Sequence, residues 1–175
     1  MSLVYIFTGS GKGKTTAAFG TALRALSKGK SVAIVQFFKN QDWFGIGETD
    51  FLAKSTNLVE IYQYGKKGWV NPKHPTQEDI LNAKKGLDKC LRLIKDKKVF
   101  LLIADELLIG VLFKIIKSKE VVDLIKLAKA NDVNLIITGR GSTKSINNAA
   151  DLVSEMNLIK HHYDKGQVAI EGLEY

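Results

Sequence analysis

Residues 8–16 read Thr8-Gly9-Ser10-Gly11-Lys12-Gly13-Lys14-Thr15-Thr16, and this glycine-rich run carries the strongest indication of the fold. It lies between an apolar run, residues 3–7, and a helix-forming stretch that begins at residue 17. Its three glycines allow a tight turn with inward-pointing N–H groups, and the N-terminus of a following helix adds partial positive charge. Such a loop binds the phosphates of a nucleotide. The pattern GxxxxGK[ST] is broken only at its first position, where Thr8 replaces glycine.

The side chains of this phosphate-binding loop have separate predicted tasks. Lys14 supplies a mobile cation to the phosphates, and the hydroxyl of Thr15 is a ligand for Mg²⁺. We predict that the whole loop binds ATP, through Thr8, Gly9, Ser10, Gly11, Lys12, Gly13, Lys14, Thr15 and Thr16. The alternative is an accidental turn rich in glycine and lysine, which the strand before it and the helix after it disfavour.

Length and composition limit the class of protein. A chain of 175 residues that is 45% hydrophobic fits one domain, residues 1–175. The single cysteine, Cys90, excludes an internal disulfide, and its apolar neighbours at helical spacing predict a place in the core. No apolar run approaches the roughly 20 residues that cross a bilayer, and no leader is visible, so we expect a cytoplasmic protein. The net charge of +8 comes from scattered lysines and does not favour nucleic-acid binding.

Apolar runs alternate with stretches of helical periodicity along the chain. Strands are predicted at residues 3–7, 31–38, 58–62, 99–103, 133–138, 152–156 and 167–170. Helices are predicted at residues 16–27, 76–94 and 120–130, with Thr76 and Asp79 as the start signal of the second. Strands that are separated by helices imply right-handed crossovers. The predicted fold is therefore α/β and P-loop NTPase-like (RecA-type), a mostly parallel sheet with helices on both faces.

Polar motifs follow several of the predicted strands, where ligands bind in open α/β sheets. They are the phosphate-binding loop, residues 36–39, Asp105-Glu106 and Gly139-Arg140-Gly141. Asp105 and Glu106 are predicted to complete a Mg²⁺ site with Thr15, the alternative being an acid pair at a helix N-terminus. Arg140 is predicted to bind phosphate or carboxylate, the alternative being a structural ion pair. For His161 and His162 we expect exposed side chains without a special role.

Several of these runs together resemble the ATP:corrinoid adenosyltransferases of the cobalamin pathway, in order and over nearly the whole chain. They are residues 8–20, Val35-Gln36-Phe37-Phe38-Lys39, Asp105-Glu106-Leu107, residues 137–141, residues 150–156, Lys160-His161 and the ending Gly172-Leu173-Glu174-Tyr175. That family also has threonine at the first position of the loop. Thr8 is therefore a marker of the resemblance.

The resemblance implies transfer of the 5′-deoxyadenosyl group of ATP to the cobalt(I) of a corrinoid, with release of triphosphate. Cobalt(I) is the nucleophile, so no general base is needed. The catalytic residues implied are Lys14 and Glu106, and Gln36 joins the ATP-binding loop. In this family the nucleotide is reversed in its loop, which presents C5′ outward. The resemblance also implies a homodimer and a reductase or flavodoxin-type electron donor.

A corrinoid is broad and flat, so its site needs aromatic and apolar surface beside the nucleotide. The candidates are Phe37, Phe38, Trp43, Phe44 and Trp69, of which the resemblance supports Trp69 as the axial-ligand aromatic. A core position for Trp69 is the alternative. Two departures from the family are Leu108, where relatives have a polar residue, and the missing N-terminal extension.

Two other functions remain open from the sequence. The loop and the acid pair alone would suit a P-loop kinase or ATPase, although no water-positioning residue or lid arginine is evident. A RecA-like nucleic-acid motor would suit the positive charge, but a basic stripe with interleaved aromatics is missing. Adenosyl transfer is the function that the motif order favours.

Overall fold

The computed structural model describes residues 2–40 and 47–173. Its strands are β1 (Val4–Thr8), β2 (Val32–Phe37), β3 (Val59–Tyr64), β4 (Leu101–Asp105), β5 (Asn134–Thr138) and β6 (Leu152–Glu155). Its helices are α1 (Lys14–Leu26), α2 (Gly47–Ser55), α3 (Gln77–Lys95), α4 (Leu107–Leu112), α5 (Ser118–Ala130) and α6 (Lys144–Ala149), with a 3₁₀ turn at His162–Lys165. The strands form one six-stranded sheet in the order β3-β2-β4-β5-β1-β6, and every pairing in it is parallel.

The sheet is covered on both faces, as predicted. Apolar side chains of α1 and α2 pack on one face, and those of α3, α4, α5 and α6 pack on the other. The central strands β4 and β1 are fully or nearly fully buried, which is why they appear in the sequence as continuous apolar runs. Cys90 lies in the core on the α3 side, as expected, and burial raises the pKa of its thiol.

The order of the strands determines where the site forms. β1 and β4 lie two positions apart in the sheet, with β5 between them, and the loops after all three leave from the same edge. The phosphate-binding loop, Asp105-Glu106 and Gly139-Arg140-Gly141 therefore meet at one place. Among the helices of residues 2–40 and 47–173, none has the length and apolarity to span a bilayer.

The structure differs from the predicted elements in four places. Residues 167–170 form no strand, so that prediction is wrong. The helices α2, α4 and α6 were not predicted, because each has nine residues or fewer and too few turns for a clear period. Glu106 stands at the N-cap of α4, which is the position that the alternative of an acid at a helix N-terminus predicts.

The start of α3 is fixed by the capping box that the sequence indicates. The backbone N–H of Asp79 donates to the hydroxyl of Thr76, and the Asp79 carboxylate accepts the backbone N–H of Thr76 at 2.8 Å. Lys66 Nζ donates to the same carboxylate at 2.9 Å. Burial favours the neutral acid, but the hydrogen bonds and the charge of Lys66 outweigh it and hold the pKa of Asp79 below its usual value.

Replacing Asp79 with alanine is expected to lower the free energy of unfolding by about 1–2 kcal/mol, because a cap and a buried hydrogen-bonded partner are lost. The exposed neighbour Glu78 is the control, and its alanine variant should stay within about 0.5 kcal/mol of wild type. The Asp79 contribution is present above its unfolded pKa of about 3.9 and is lost as the pH falls through its lower folded pKa. Urea unfolding of Asp79→Ala and wild type should therefore converge in strong acid. A constant difference at every pH would contradict this prediction.

Candidate nucleotide site

The phosphate-binding loop connects the end of β1 to the first residue of α1. Gly13 has φ 112° at the N-cap of α1, a conformation that glycine adopts without strain, and its carbonyl accepts the N–H of Ala17 at 2.8 Å. Lys14 Nζ donates to the carbonyl of Gly11 and folds back over the loop. Burial and the charge of Arg140 lower the pKa of Lys14, and the nearby acids oppose this only in part.

The chain after β6 crosses directly over the phosphate-binding loop. Gly11 N–H donates to the Met156 carbonyl at 2.7 Å, and Met156 N–H donates to the Thr8 carbonyl at 2.8 Å. A Cβ atom on Gly9 would lie 2.4 Å from the Met156 oxygen, and one on Gly11 would lie 2.8 Å from it. These two positions therefore require glycine because the segment at Met156 packs against them. This requirement comes in addition to the room that a bound phosphate would need.

Replacing Gly11 with alanine is expected to weaken ATP binding about tenfold or more, because the new methyl group must displace the backbone at Met156 and Asn157. Gly20 in α1 is a matched control, since a Cβ there meets nothing within 4 Å. Gly20→Ala should leave ATP affinity unchanged and raise the free energy of unfolding by about 0.5–1 kcal/mol. Isothermal titration calorimetry with ATP measures the affinity, and unfolding in urea measures the free energy of unfolding. Equal ATP affinity for both variants would contradict the role of the crossing segment.

Asp105 is the centre of the hydrogen-bond network beneath the loop, and its side chain is fully buried. Its Oδ1 accepts the hydroxyls of Thr15 at 2.9 Å and Thr138 at 2.7 Å. Its Oδ2 accepts Gln36 Nε2 at 3.1 Å and Lys39 Nζ at 2.9 Å. Burial alone would raise the pKa of this carboxyl, but the charge and hydrogen bond of Lys39, with the other donors, hold it below its usual value. Asp105 is thus ionised and fully hydrogen-bonded.

Glu106, next along the chain, has a different environment. It adopts φ 65°, its backbone N–H donates to the Thr138 hydroxyl at 2.8 Å, and it lines a cavity beside the phosphate-binding loop. Burial, with the charge of Asp105, raises the pKa of Glu106, while the nearby cations oppose the shift. The two adjacent acids therefore differ: Asp105 is held firmly as an anion, and Glu106 takes a proton more easily.

Arg140 projects between two glycines that both have positive φ, 130° at Gly139 and 92° at Gly141. A Cβ on Gly139 would lie 3.0 Å from Leu108 Cβ, and one on Gly141 would lie 2.9 Å from Leu112 Cβ. The glycines thus let the β5–α6 connection pack closely on α4. Because Leu108 is a buried contact of this connection, an apolar residue suits its position.

These elements surround a cavity of about 640 Å³, which we call the nucleotide cavity. Its wall includes most of the phosphate-binding loop, together with Lys39, Glu48, Glu106, Arg140, Leu158, His161 and Leu173. Three of the side chains that the sequence associates with phosphate, Lys12, Lys14 and Arg140, thus line one space. Cations and backbone amides around such a volume can hold a polyphosphate.

The chain can be compared with known proteins on this basis. The sequence matches the model of the family described as ATP:corrinoid adenosyltransferase BtuR/CobO/CobP, over residues 1–175. The chain belongs to this family.

Individual relatives agree with the family assignment. A corrinoid adenosyltransferase of Sinorhizobium sp. is 33% identical over 99% of this chain and 80% of its own length. The corrinoid adenosyltransferase of Escherichia coli K12 is 35% identical over 99% of this chain and 85% of its own length. In structure, the chain is similar to a KaiC-like protein of Pyrococcus horikoshii, with a TM-score of 0.55 and 14% identity, over 89% of this chain and 71% of the other. That likeness shows the RecA-like P-loop fold alone.

Most of the predicted site residues of this corrinoid adenosyltransferase meet at the nucleotide cavity. Loop residues 10–16, Glu106 and Arg140 line it, and Asp105 lies beneath it. Thr8 and Gly9 instead line a smaller cavity of about 300 Å³ on the other side of the loop, which shares Ser10 and Arg140 with the first. Thr8 itself is buried.

Two predicted ligand contacts do not fit the structure. Gln36 is fully buried behind Asp105, where its Oε1 accepts Gln63 Nε2 at 2.8 Å, so it orients the acid rather than lining the cavity. Phe37 is fully buried in the core, and its ring occupies the space beside Gly86, so it offers no surface to a corrinoid. Strand alternation explains the second error, because Phe37 points to the α3 face of β2.

The other aromatic candidates have different outcomes. Trp69 is 82% exposed, so the alternative of a core position is wrong for it. Phe38 packs edge to face with Phe113, with ring centroids 5.9 Å apart. Trp43 and Phe44 lie outside the described residues. A role for Trp69 at a corrinoid stays a prediction.

The structure also gives specific contacts to three residues that the sequence named without assigning them a role in the site. Lys39 pairs with Asp105, Thr138 connects Asp105 to the Glu106 backbone, and His161 lines the cavity with its Nδ1 accepting the Tyr163 N–H at 3.2 Å. His161 and His162 are both half-buried, so the expectation of exposed side chains is wrong for each of them. Lys39, Thr138 and His161 lie within runs that carry the family resemblance, residues 35–39, 137–141 and 160–161. Those runs indicated the segments but not the contacts of the individual side chains.

Proposed function

We propose that the nucleotide cavity holds the triphosphate of ATP as a leaving group while the 5′-deoxyadenosyl group passes to a corrinoid. Corrinoid adenosyl transfer is the activity of the family to which the chain belongs. In this reaction the electron pair of cobalt(I) forms the cobalt–carbon bond to C5′, and the C5′–O5′ bond breaks with its pair of electrons leaving on triphosphate. The observation that carries the proposal is the convergence of Lys12, Lys14 and Arg140 on one cavity with the loop amides.

The catalytic task of the chain is to stabilise negative charge that grows on the departing triphosphate. Lys14 is placed for this, because it folds over the loop and donates to the Gly11 carbonyl, a partner that it can exchange for a phosphate oxygen. Arg140 can bind a second phosphate with its planar fork. Because the nucleophile is the cobalt of the substrate, proton removal by a side chain is not required.

The donor set at the end of β4 fits a magnesium ion. Mg²⁺ binds through one or two carboxylates, waters and substrate phosphates, so a cage of three acids is not needed. Thr15 and Asp105 are hydrogen-bonded at 2.9 Å beneath the cavity, and Glu106 lies on its wall. When bound, the ion would neutralise charge on the triphosphate. We assign Thr15, Asp105 and Glu106 as the residues that hold it, directly or through water.

The corrinoid requires a separate apolar surface and a source of electrons. The exposed ring of Trp69 is our candidate for contact with its lower face. Cys90 is the single cysteine of the chain and is buried, so a redox dithiol cannot form within one copy. A reductase or flavodoxin-type donor is therefore proposed to supply cobalt(I).

We also propose that the chain acts as a homodimer. Several apolar side chains after β6 are highly exposed, among them Ile159 at 98%, Val168 at 72% and Leu173 at 69%. Exposed apolar groups that cluster along one segment are typical of an interaction surface. The segment also borders the nucleotide cavity, so a second copy seated there would help to close the site.

One assay tests the proposed function. The protein is incubated with MgATP and a chemically reduced corrinoid, the cobalt–carbon product is followed by its visible spectrum, and the phosphate product is identified. The expected result is adenosylated corrinoid with triphosphate in equal amounts. Release of ADP and orthophosphate without adenosylated corrinoid would contradict the proposal and would favour a kinase or ATPase. A reaction without corrinoid is the control for simple hydrolysis.

A further inference from the structure

Lys39 lies at the boundary between two cavities. It lines the nucleotide cavity and also a neighbouring cavity of about 430 Å³, which is bordered by residues of α2 and β3. Its ammonium group lies 2.9 Å from Asp105 Oδ2, and its side chain is only 23% exposed. Lys39 therefore brings a fixed positive charge to the carboxylate on which the proposed metal site depends.

The contacts of Asp105 leave little room for a further cation. Two hydroxyls occupy Oδ1, and an amide and an ammonium occupy Oδ2. Of these four donors only Lys39 carries a charge. A divalent cation close to Oδ2 would be repelled by the ammonium at short range, in an environment where charges are poorly screened. The ammonium and the cation thus exclude each other at this oxygen.

The position of Lys39 is built into the backbone. Phe38, just before it, has φ 58°, and its N–H donates to the Tyr64 carbonyl at 2.8 Å. Gly65 then lies so close that a Cβ there would be 2.6 Å from both the nitrogen and the oxygen of Lys39. This tight crossing of two chain segments fixes the backbone of Lys39, and from there its side chain reaches Asp105 Oδ2.

We propose that Lys39 is a positioning residue that takes the place of the divalent cation at Asp105 while the nucleotide site is empty, and leaves that carboxylate when the cation enters with ATP. The inference rests on the proposed magnesium site. In the empty enzyme the ammonium holds the Asp105 carboxylate in place through their ion pair. When the cation enters, Lys39 has an alternative position at hand, because it already borders the neighbouring cavity.

The test is Mn²⁺ binding to the protein without nucleotide or corrinoid, measured from the EPR signal of free Mn²⁺. Lys39→Met removes the charge and keeps an unbranched side chain only one atom shorter, and it should bind Mn²⁺ at least about tenfold more tightly than wild type. Lys39→Arg keeps the charge and should bind like wild type. Lys66→Met is the matched control, because Lys66 is 19% exposed and pairs with a different buried acid, Asp79, at 2.9 Å.

Two results would overturn the proposal. One is a Mn²⁺ affinity of folded Lys39→Met, or of Lys39→Gln if the first variant does not fold, that equals or falls below that of wild type. The other is a Mn²⁺ affinity of the double variant Lys39→Met/Asp105→Asn that is as high as that of Lys39→Met, since the Mn²⁺ would then bind away from Asp105. Because the Mn²⁺ assay contains no corrinoid, its result is independent of the adenosyl-transfer assay, and the two proposals can fail separately.

Discussion

Replacing Lys14 with alanine is expected to reduce corrinoid adenosylation by about a thousandfold, the loss typical of removing one preorganised donor from a developing negative charge. The ammonium of Lys14 lies at the loop with the Gly11 carbonyl as its present partner, so it is free to exchange that partner for a phosphate oxygen. The loss should appear mainly in kcat, because charge on triphosphate grows in the transition state. Rates measured from the visible spectrum of the product, at saturating MgATP, test this.

The control for Lys14 is Lys28, an exposed lysine near the far end of α1. Lys28→Ala removes the same charge from the same region of sequence and should retain full activity. Both variants should unfold at similar urea concentrations, since neither lysine supports the core. Activity of Lys14→Ala within a few-fold of wild type would remove the loop from the mechanism.

Replacing Asp105 with asparagine is expected to lower the free energy of unfolding by about 3 kcal/mol and to abolish magnesium-dependent activity. The reason is that Lys39 keeps its charge and its half-buried position but loses its ionised partner. Asp123 on α5 is the control, because its ion pair with Lys119 is largely exposed, and Asp123→Asn should cost no more than about 0.5 kcal/mol. Urea unfolding of each variant gives the comparison.

A double variant makes the Asp105 prediction sharper. If the unpaired ammonium causes the loss, Lys39→Met/Asp105→Asn should be more stable than Asp105→Asn alone, because the uncompensated charge is gone. If the double variant is as unstable as the sum of the two single variants, the pair does not act as a unit. The loss would then come from the other hydrogen bonds of the carboxylate.

The sequence predicts well those parts of the molecule that depend on local chemistry. The loop at residues 8–16, the cap at Thr76 and Asp79, and the buried runs of β4 and β5 each follow from neighbouring residues, and the structure confirms them. The shared edge of the site followed from the alternation of strands and helices. To predict these features, it is enough to know the hydrophobic periodicity, the positions of the glycines, and the rule that ligands bind at the carboxyl ends of parallel strands.

The parts that the sequence did not predict depend on contacts between distant segments. Gln36 and Phe37 are adjacent on β2 and both are buried, one against Asp105 and the other in the core, which the run alone does not reveal. Lys39 becomes part of the site only because β2 and β4 are neighbours in the sheet. The strand predicted at residues 167–170 had suitable residues but no partner strand.

The crossing of residues 156 and 157 over the phosphate-binding loop has a consequence for the synthesis of the protein. Within residues 2–40 and 47–173, the partners of β1 in the sheet are β5 and β6, which come from the last third of the chain. The loop that follows β1 is held by two hydrogen bonds to Met156: Gly11 N–H donates to its carbonyl, and its N–H donates to the Thr8 carbonyl. While the ribosome is still making the chain, β5, β6 and Met156 have not yet been synthesised, so the first strand and its loop lack their hydrogen-bond partners. The ATP site, although encoded almost first, is among the last parts of the molecule to take shape.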